Sequence, residues 1–228
     1  MNKHFIKMFI LTLSLIKSIT CHGQDHFNGL GESAIALKYS NSKSYQAQFS
    51  LRSRYFLYQN NEVSYKQQQF DAFHYSTLQL NNKNRLGLGI YYRQRDFLEM
   101  GSNEFRLAQQ YIHKSKISRF QLGHRLRTEQ RFLDTKTIFR QRYRLKFDFP
   151  IIGSTLENGE PYFIAALEGL LSLSESQPAE IDQRATAQLG IQFNKSLKIR
   201  AGLEYRLEAI NVLNNTYLFL LSSAVINI

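Results

Sequence analysis

The sequence predicts an all-β fold: an antiparallel, up-and-down transmembrane β-barrel of about twelve strands, with ten as the alternative. Three observations predict it. Side chains alternate between apolar and polar with a period of two in segment after segment, as strands do when their two faces meet different surroundings. Mean hydropathy is only −0.36 although 43% of the residues are hydrophobic. That is too polar for a helical membrane protein, whereas in a barrel only alternate residues face lipid. After Gln24 no apolar stretch approaches the ~20 residues a membrane-crossing helix needs, while the alternating segments are close to the 9–11 residues that carry a tilted strand across.

The first segment reads as an address rather than as part of the fold. Residues 1–23 have a basic start at Lys3, His4 and Lys7, a short apolar run over 8–16, and small residues before a cleavage point after Gly23. They are expected to be a signal peptide, leaving a barrel over 24–228 in a bacterial outer membrane. Cys21 is the only cysteine. Either it carries a lipid, or cleavage at Gly23 leaves a chain with no disulfide and no thiolate ligand.

The strands follow in order. Segments 31–39 and 70–80 alternate weakly. Over 45–57, Tyr45, Ala47, Phe49, Leu51, Tyr55 and Leu57 oppose Gln46, Gln48, Ser50, Arg52 and Arg54. Segments 85–95 and 103–113 come next, with Gly87 and Gly89 expected to relieve crowding inside a strand. Over 119–132, Phe120, Leu122, Leu126 and Phe132 oppose Arg119, Gln121, Arg125, Arg127, Glu129 and Arg131. The pattern is clearest over 137–147, where Phe139, Tyr143, Leu145 and Phe147 oppose Arg140, Arg142, Arg144 and Lys146. Segment 161–173 is apolar apart from Glu168. Segments 183–193 and 197–208 alternate again, with Arg184 in the first and Lys198, Arg200, Glu204, Arg206 and Glu208 in the second. The last segment, 216–228, is more uniformly apolar.

These segments number eleven. Because bacterial barrels have an even number of strands, a missed or merged strand is expected near 24–40 or 59–72. Short turns are expected at 81–84, 114–116 and 194–196, and longer loops at 97–102, 174–181 and 208–215, mostly alternating as periplasmic turns and external loops do. The stretch 150–160 breaks that alternation, and Asn158-Gly159 could form a local hairpin within it.

A soluble sheet also alternates. Here the charged face runs along long strands while the other face carries broad bands of Phe, Leu, Ile and Tyr. In lipid every backbone group must be satisfied internally, so such a sheet closes and its charged face lines the interior. The residues expected to line it are Arg119, Arg125, Arg127, Glu129, Arg131, Arg140, Arg142, Arg144, Lys146, Glu168, Arg184, Arg200, Glu204 and Arg206. Arg127 with Glu129, Arg206 with Glu204, and Glu168 are candidates for ion-paired ladders. The net charge is +11, so an interior that conducts would favour anions.

The run Arg125-Leu126-Arg127-Thr128-Glu129-Gln130-Arg131-Phe132, followed by Arg140-Gln141-Arg142-Tyr143-Arg144-Leu145, resembles the core signature of domain of unknown function 2490 (DUF2490). Pro150, Glu168, Arg184, Gly190 and Tyr205 fall in matching order, and the similarity covers most of the chain after the leader. The resemblance implies an outer-membrane β-barrel without an assigned activity.

Little else carries chemistry. His26, His74, His113 and His124 show no metal-ligand spacing, and no cofactor is expected. His124, with Ser118 and Thr128 on the same face, is the one candidate for a lipid-modifying esterase or acyltransferase. A soluble, secreted barrel holding an apolar ligand is a further alternative. The Tyr and Phe residues are expected opposite the Arg face, which argues against stacking on nucleic acid. The partners expected are outer-membrane lipid and the barrel-assembly machinery.

Overall fold

A computed structural model describes residues 27–40, 42, 44–95 and 103–228; the expected leader lies outside them. The described chain forms eleven strands and no helix: β1 (Phe27–Tyr39), β2 (Tyr45–Gln59), β3 (Glu62–Gln79), β4 (Asn84–Arg95), β5 (Glu104–Ile117), β6 (Phe120–Leu133), β7 (Thr137–Pro150), β8 (Pro161–Ser174), β9 (Gln177–Gln192), β10 (Leu197–Glu208) and β11 (Asn215–Asn227). Each strand pairs antiparallel with its neighbours in sequence, and β1 pairs with β11 to close the barrel.

The count is eleven, and the closing pair explains how an odd number is possible. In an up-and-down barrel the first and eleventh strands run the same way, so β1 and β11 pair in parallel, from Phe27↔Thr216 to Lys38↔Asn227. Closure leaves no unpaired edge. No additional strand lies at 59–72. That stretch lengthens β2 and β3 into one hairpin whose second arm is 18 residues long. Its two-residue turn places Asn60 at φ 54° and Asn61 at φ 64°, the left-handed pair that a type I′ turn requires and that Asn tolerates.

Other connections also differ from the sequence reading. Residues 114–116 belong to β5, and the tight turn falls at Ser118-Arg119, with Ser118 at φ 55°. Residues 177–181 belong to β9, which leaves only 175–176 as a turn. Short and long connections therefore occur at both ends of the barrel and do not alternate. The long stretch 151–160 leans on the neighbouring hairpin, where Gly159 N donates to Gln192 O at 2.6 Å.

Burial is inverted relative to a water-soluble domain. Large apolar side chains point outward and are exposed, among them Leu88 (65%), Leu126 (56%) and Leu189 (57%). Charged side chains point inward and are buried: Asp71 is 0% exposed, Glu104 1% and Glu129 2%. Glycine makes room for the bulky inward rings. A Cβ on Gly89 would come within 2.3 Å of the Tyr75 ring, and one on Gly190 within 2.4 Å of the Tyr162 ring.

Candidate functional site

The barrel interior holds the only dense array of chemically active side chains among the described residues. The period of two puts the even-numbered residues of β1 and β2 inside, and the antiparallel registers carry that sidedness from strand to strand. Each strand thus contributes a short inward column, and charges from neighbouring columns meet at mid-height.

There they form a chain of shared ions. Glu32 on β1 is reached by Arg206 on β10 at 3.5 Å and by Arg52 on β2 at 3.5 Å. Arg52 also holds Asp71 on β3 at 2.7 Å, and Asp71 in turn holds Arg93 on β4 at 2.8 Å. Arg93 lies 3.8 Å from Glu104 on β5, which also accepts Arg95 at 3.0 Å, Arg131 at 2.5 Å, and Arg106. Arg106 leads to Glu129 on β6 at 3.7 Å, and Glu129 accepts Arg142 of β7 at 2.8 Å. Arg142 then holds Glu168 on β8 at 2.8 Å. Eight consecutive strands, β1 to β8, are stitched by this one series of ions, and Arg206 joins β10 to it across β11.

Aromatic rings support the guanidinium groups. Arg206 lies 3.8 Å from the Phe219 centroid, Arg106 4.5 Å from Tyr91 and Arg127 4.7 Å from Tyr75. Arginine suits this lattice because its planar fork serves two acceptors and its faces stack on rings. These rings correct the expectation that Tyr and Phe lie opposite the arginines: Phe73, Tyr75, Tyr91, Tyr162 and Phe219 share the inward face with them.

Two cavities flank the lattice. One, of about 370 Å³, lies toward the end that carries the C-terminus, and the other, of about 360 Å³, lies toward the end where β1 begins. Arg52, Arg106 and Arg142 border both, so the ion lattice is the septum between them.

The structure places Arg125, Arg127, Glu129, Arg131, Arg140, Arg142, Arg144, Lys146, Glu168, Arg184, Arg200, Glu204 and Arg206 on the inward face. Arg127 and Glu129 lie 3.5 Å apart, Arg206 and Glu204 2.5 Å, and Glu168 holds Arg125 as well as Arg142, each at 2.8 Å. Arg119 is the exception. It sits exposed in the β5–β6 turn with its guanidinium over Phe120 and Phe149, at 5.3 and 5.8 Å. A turn breaks the strand alternation that had placed it inside.

Several interior residues were missing from the sequence-based set: Glu32, Arg52, Arg54, Asp71, Arg93, Arg95, Glu104, Arg106 and Asp182. The parity shared by Tyr91, Arg93 and Arg95, with Gly87 and Gly89 upstream, was the available signal.

The outward histidines form no catalytic constellation with the residues named beside them. His124 pairs with Tyr143 Oη at 2.7 Å, and Thr128 donates to Gln141 at 2.8 Å. Ser118 lies in the turn, about 20 Å along the strand from His124.

A family model described as "Protein of unknown function (DUF2490)" matches residues 33–215. No curated protein matches the chain.

Proposed function

The chain belongs to the DUF2490 family, and from that premise we propose that it is an integral barrel of the bacterial outer membrane with a narrow lumen that favours anions. The observation that carries this reading is the inverted sidedness: a closed sheet with its large apolar residues outward and its charges inside. Water gives no reason for this arrangement, whereas lipid demands it, since a sheet in lipid must leave no polar edge and no outward charge. Exposed aromatic residues also gather toward both ends of the outward surface. Tyr39, Tyr45, Phe120 and Phe147 lie at one end, Phe27, Phe105, Phe132 and Phe139 at the other, and Ile35, Leu88, Leu126 and Leu220 lie between them. Two girdles around an aliphatic band are the surface such a barrel presents to a bilayer.

The leader over 1–23 would route the chain to export, and the barrel-assembly machinery would insert it. Within the lumen, arginine and lysine outnumber the carboxylates, so the potential along any water path draws anions. The lattice narrows that path. Conductance is therefore expected to be small, with anions passing more readily than cations.

Reconstitution into planar bilayers tests the proposal. Small, anion-selective steps support it, and cation selectivity overturns it. Complete absence of conductance in a membrane-inserted barrel would overturn the channel and leave a structural role in the envelope. Recovery of the folded chain from the aqueous phase without detergent would overturn the membrane reading itself.

A further inference from the structure

The two halves of the lumen differ in how their charge is balanced. In the cavity toward the start of β1, every lining arginine has a carboxylate within 4 Å: Arg95 and Arg131 hold Glu104, Arg140 faces Asp182 and Arg184 faces Glu208. In the cavity toward the C-terminal end, Lys38, Arg85, Lys114 and Arg144 line the wall, and among the described residues none of the four has a carboxylate within that distance. Register alone would give Arg144 a partner, since it lies directly across from Glu168. Both Glu168 oxygens are already taken, by Arg125 and Arg142 at 2.8 Å each. Arg125 Nε is buried there with no hydrogen-bond partner. Arg200, held by Tyr162 Oη at 3.0 Å, and Lys146 and Lys198 add to the positive field around Lys38. Asp148 is engaged by Lys146 at 3.3 Å. Gln46, Gln48 and Thr77 supply neutral hydrogen-bonding groups on the same wall.

The same barrel thus gives every arginine lining one half an ion-pair contact and leaves four cations of the other half without one, Asp148 attracting Lys114 only from beyond contact distance. Like charges held this close repel unless a counter-charge joins them. A single monovalent ion would leave most of the imbalance standing. A compact multivalent oxyanion would meet several cations at once and use the arginine fork for paired hydrogen bonds. The volume, about 370 Å³, is at the lower end of the range for small-molecule sites.

We propose that the C-terminal-end cavity is a binding site for a small, multivalent phosphate-bearing anion, either a condensed phosphate or a phosphate ester, that enters from the water phase. This deepens the anion-favouring reading of the lumen and rests on it.

Calorimetric titration of the full chain, refolded in detergent, with sodium pyrophosphate tests the site. Saturable binding at one ligand per barrel is expected, weakening as salt is raised. The double variant Lys38→Gln/Arg144→Gln should raise Kd about tenfold or more. Arg95→Gln, in the other cavity, should leave Kd unchanged. Heat-dependent gel mobility reports whether each variant is folded; if the double variant is not, Lys114→Gln takes its place, with the same direction of effect. Glycerol 3-phosphate and short-chain phosphatidic acid, titrated in parallel, separate a soluble ligand from a lipid headgroup. No binding of pyrophosphate or glycerol 3-phosphate, response to phosphatidic acid alone, or equal loss in Arg95→Gln would each overturn the assignment. The titration needs neither a membrane nor conductance, so failure of the channel leaves its result intact, and its own failure leaves the membrane reading in place.

Discussion

Glu104→Gln is the perturbation that bears most directly on the ion lattice. The carboxylate is 1% exposed and serves Arg95 at 3.0 Å, Arg131 at 2.5 Å, and Arg106, with Arg93 at 3.8 Å. An amide keeps the shape, removes the negative charge and turns one acceptor into a donor facing guanidinium groups. Removing one partner of a buried ion pair costs about 3–5 kcal/mol, because the remaining charge stays buried without compensation. With a urea slope of about 2 kcal/mol/M, a loss of 4 kcal/mol lowers the unfolding midpoint by about 2 M.

Glu208→Gln is the control. Glu208 is 35% exposed and contacts Arg184 at 3.3 Å, so solvent screening limits its cost to about 1 kcal/mol or less. Urea unfolding of the refolded barrel in detergent, followed by tryptic protection and gel mobility, reads both. Adding Arg131→Met to Glu104→Gln should recover part of the loss, since it removes one of the stranded cations. Equal midpoints for Glu104→Gln and Glu208→Gln, or no recovery in the double variant, would refute the lattice as the organising feature of the interior.

Three further outcomes follow from individual contacts. Gly89→Val should cost about 1–3 kcal/mol by overpacking, because its Cβ falls 2.3 Å from the Tyr75 ring, and Tyr75→Ala in the same chain should relieve it; urea midpoints of the single and double variants check this. Asn61→Val, at φ 64° in the β2–β3 turn, should lose about 1–2 kcal/mol while Asn61→Gly loses none, measured the same way. Leu88→Arg, on the middle of the outward face, should destabilise the barrel by about 2–4 kcal/mol in lipid vesicles; a neutral or solubilising effect would contradict a lipid-facing surface.

Much of the fold was legible in the sequence because a barrel repeats one simple rule. Where cations fill one parity and apolar groups the other, as at Arg140, Arg142 and Arg144 on β7, a strand and its inward face can be read directly. The rule weakens where the inward column carries rings or glycine. Tyr91 and Gly89 on β4 and Phe219 on β11 face the lumen, and hydropathy alone assigns an aromatic residue to the apolar side. The acidic half of the lattice was harder still. Glu32 and Asp71 are single carboxylates whose arginine partners lie on other strands, and Glu104 adds to Arg106 of its own strand Arg93 and Arg95 of β4 and Arg131 of β6, so only the register brings them together. The expected strand number, about twelve, is close to the eleven observed; evenness accounts for the difference, since a parallel β1–β11 pair closes eleven. Arg119 was placed inside because alternation was carried one residue ahead of the start of β6, into the β5–β6 turn.

The measurement that tests the central claim most directly is the accessibility of paired cysteine probes. The sequence has no cysteine after Cys21, so single cysteines can be placed at Leu126, which faces outward, and at Gln110, which lines the lumen cavity. A fluorophore at each, in barrels refolded into vesicles, is exposed in turn to a quencher fixed on lipid acyl chains and to one dissolved in water. The account predicts quenching at position 126 from the acyl chains only, and at position 110 from water only. Quenching at position 126 from water, with the acyl-chain probe silent, would contradict it.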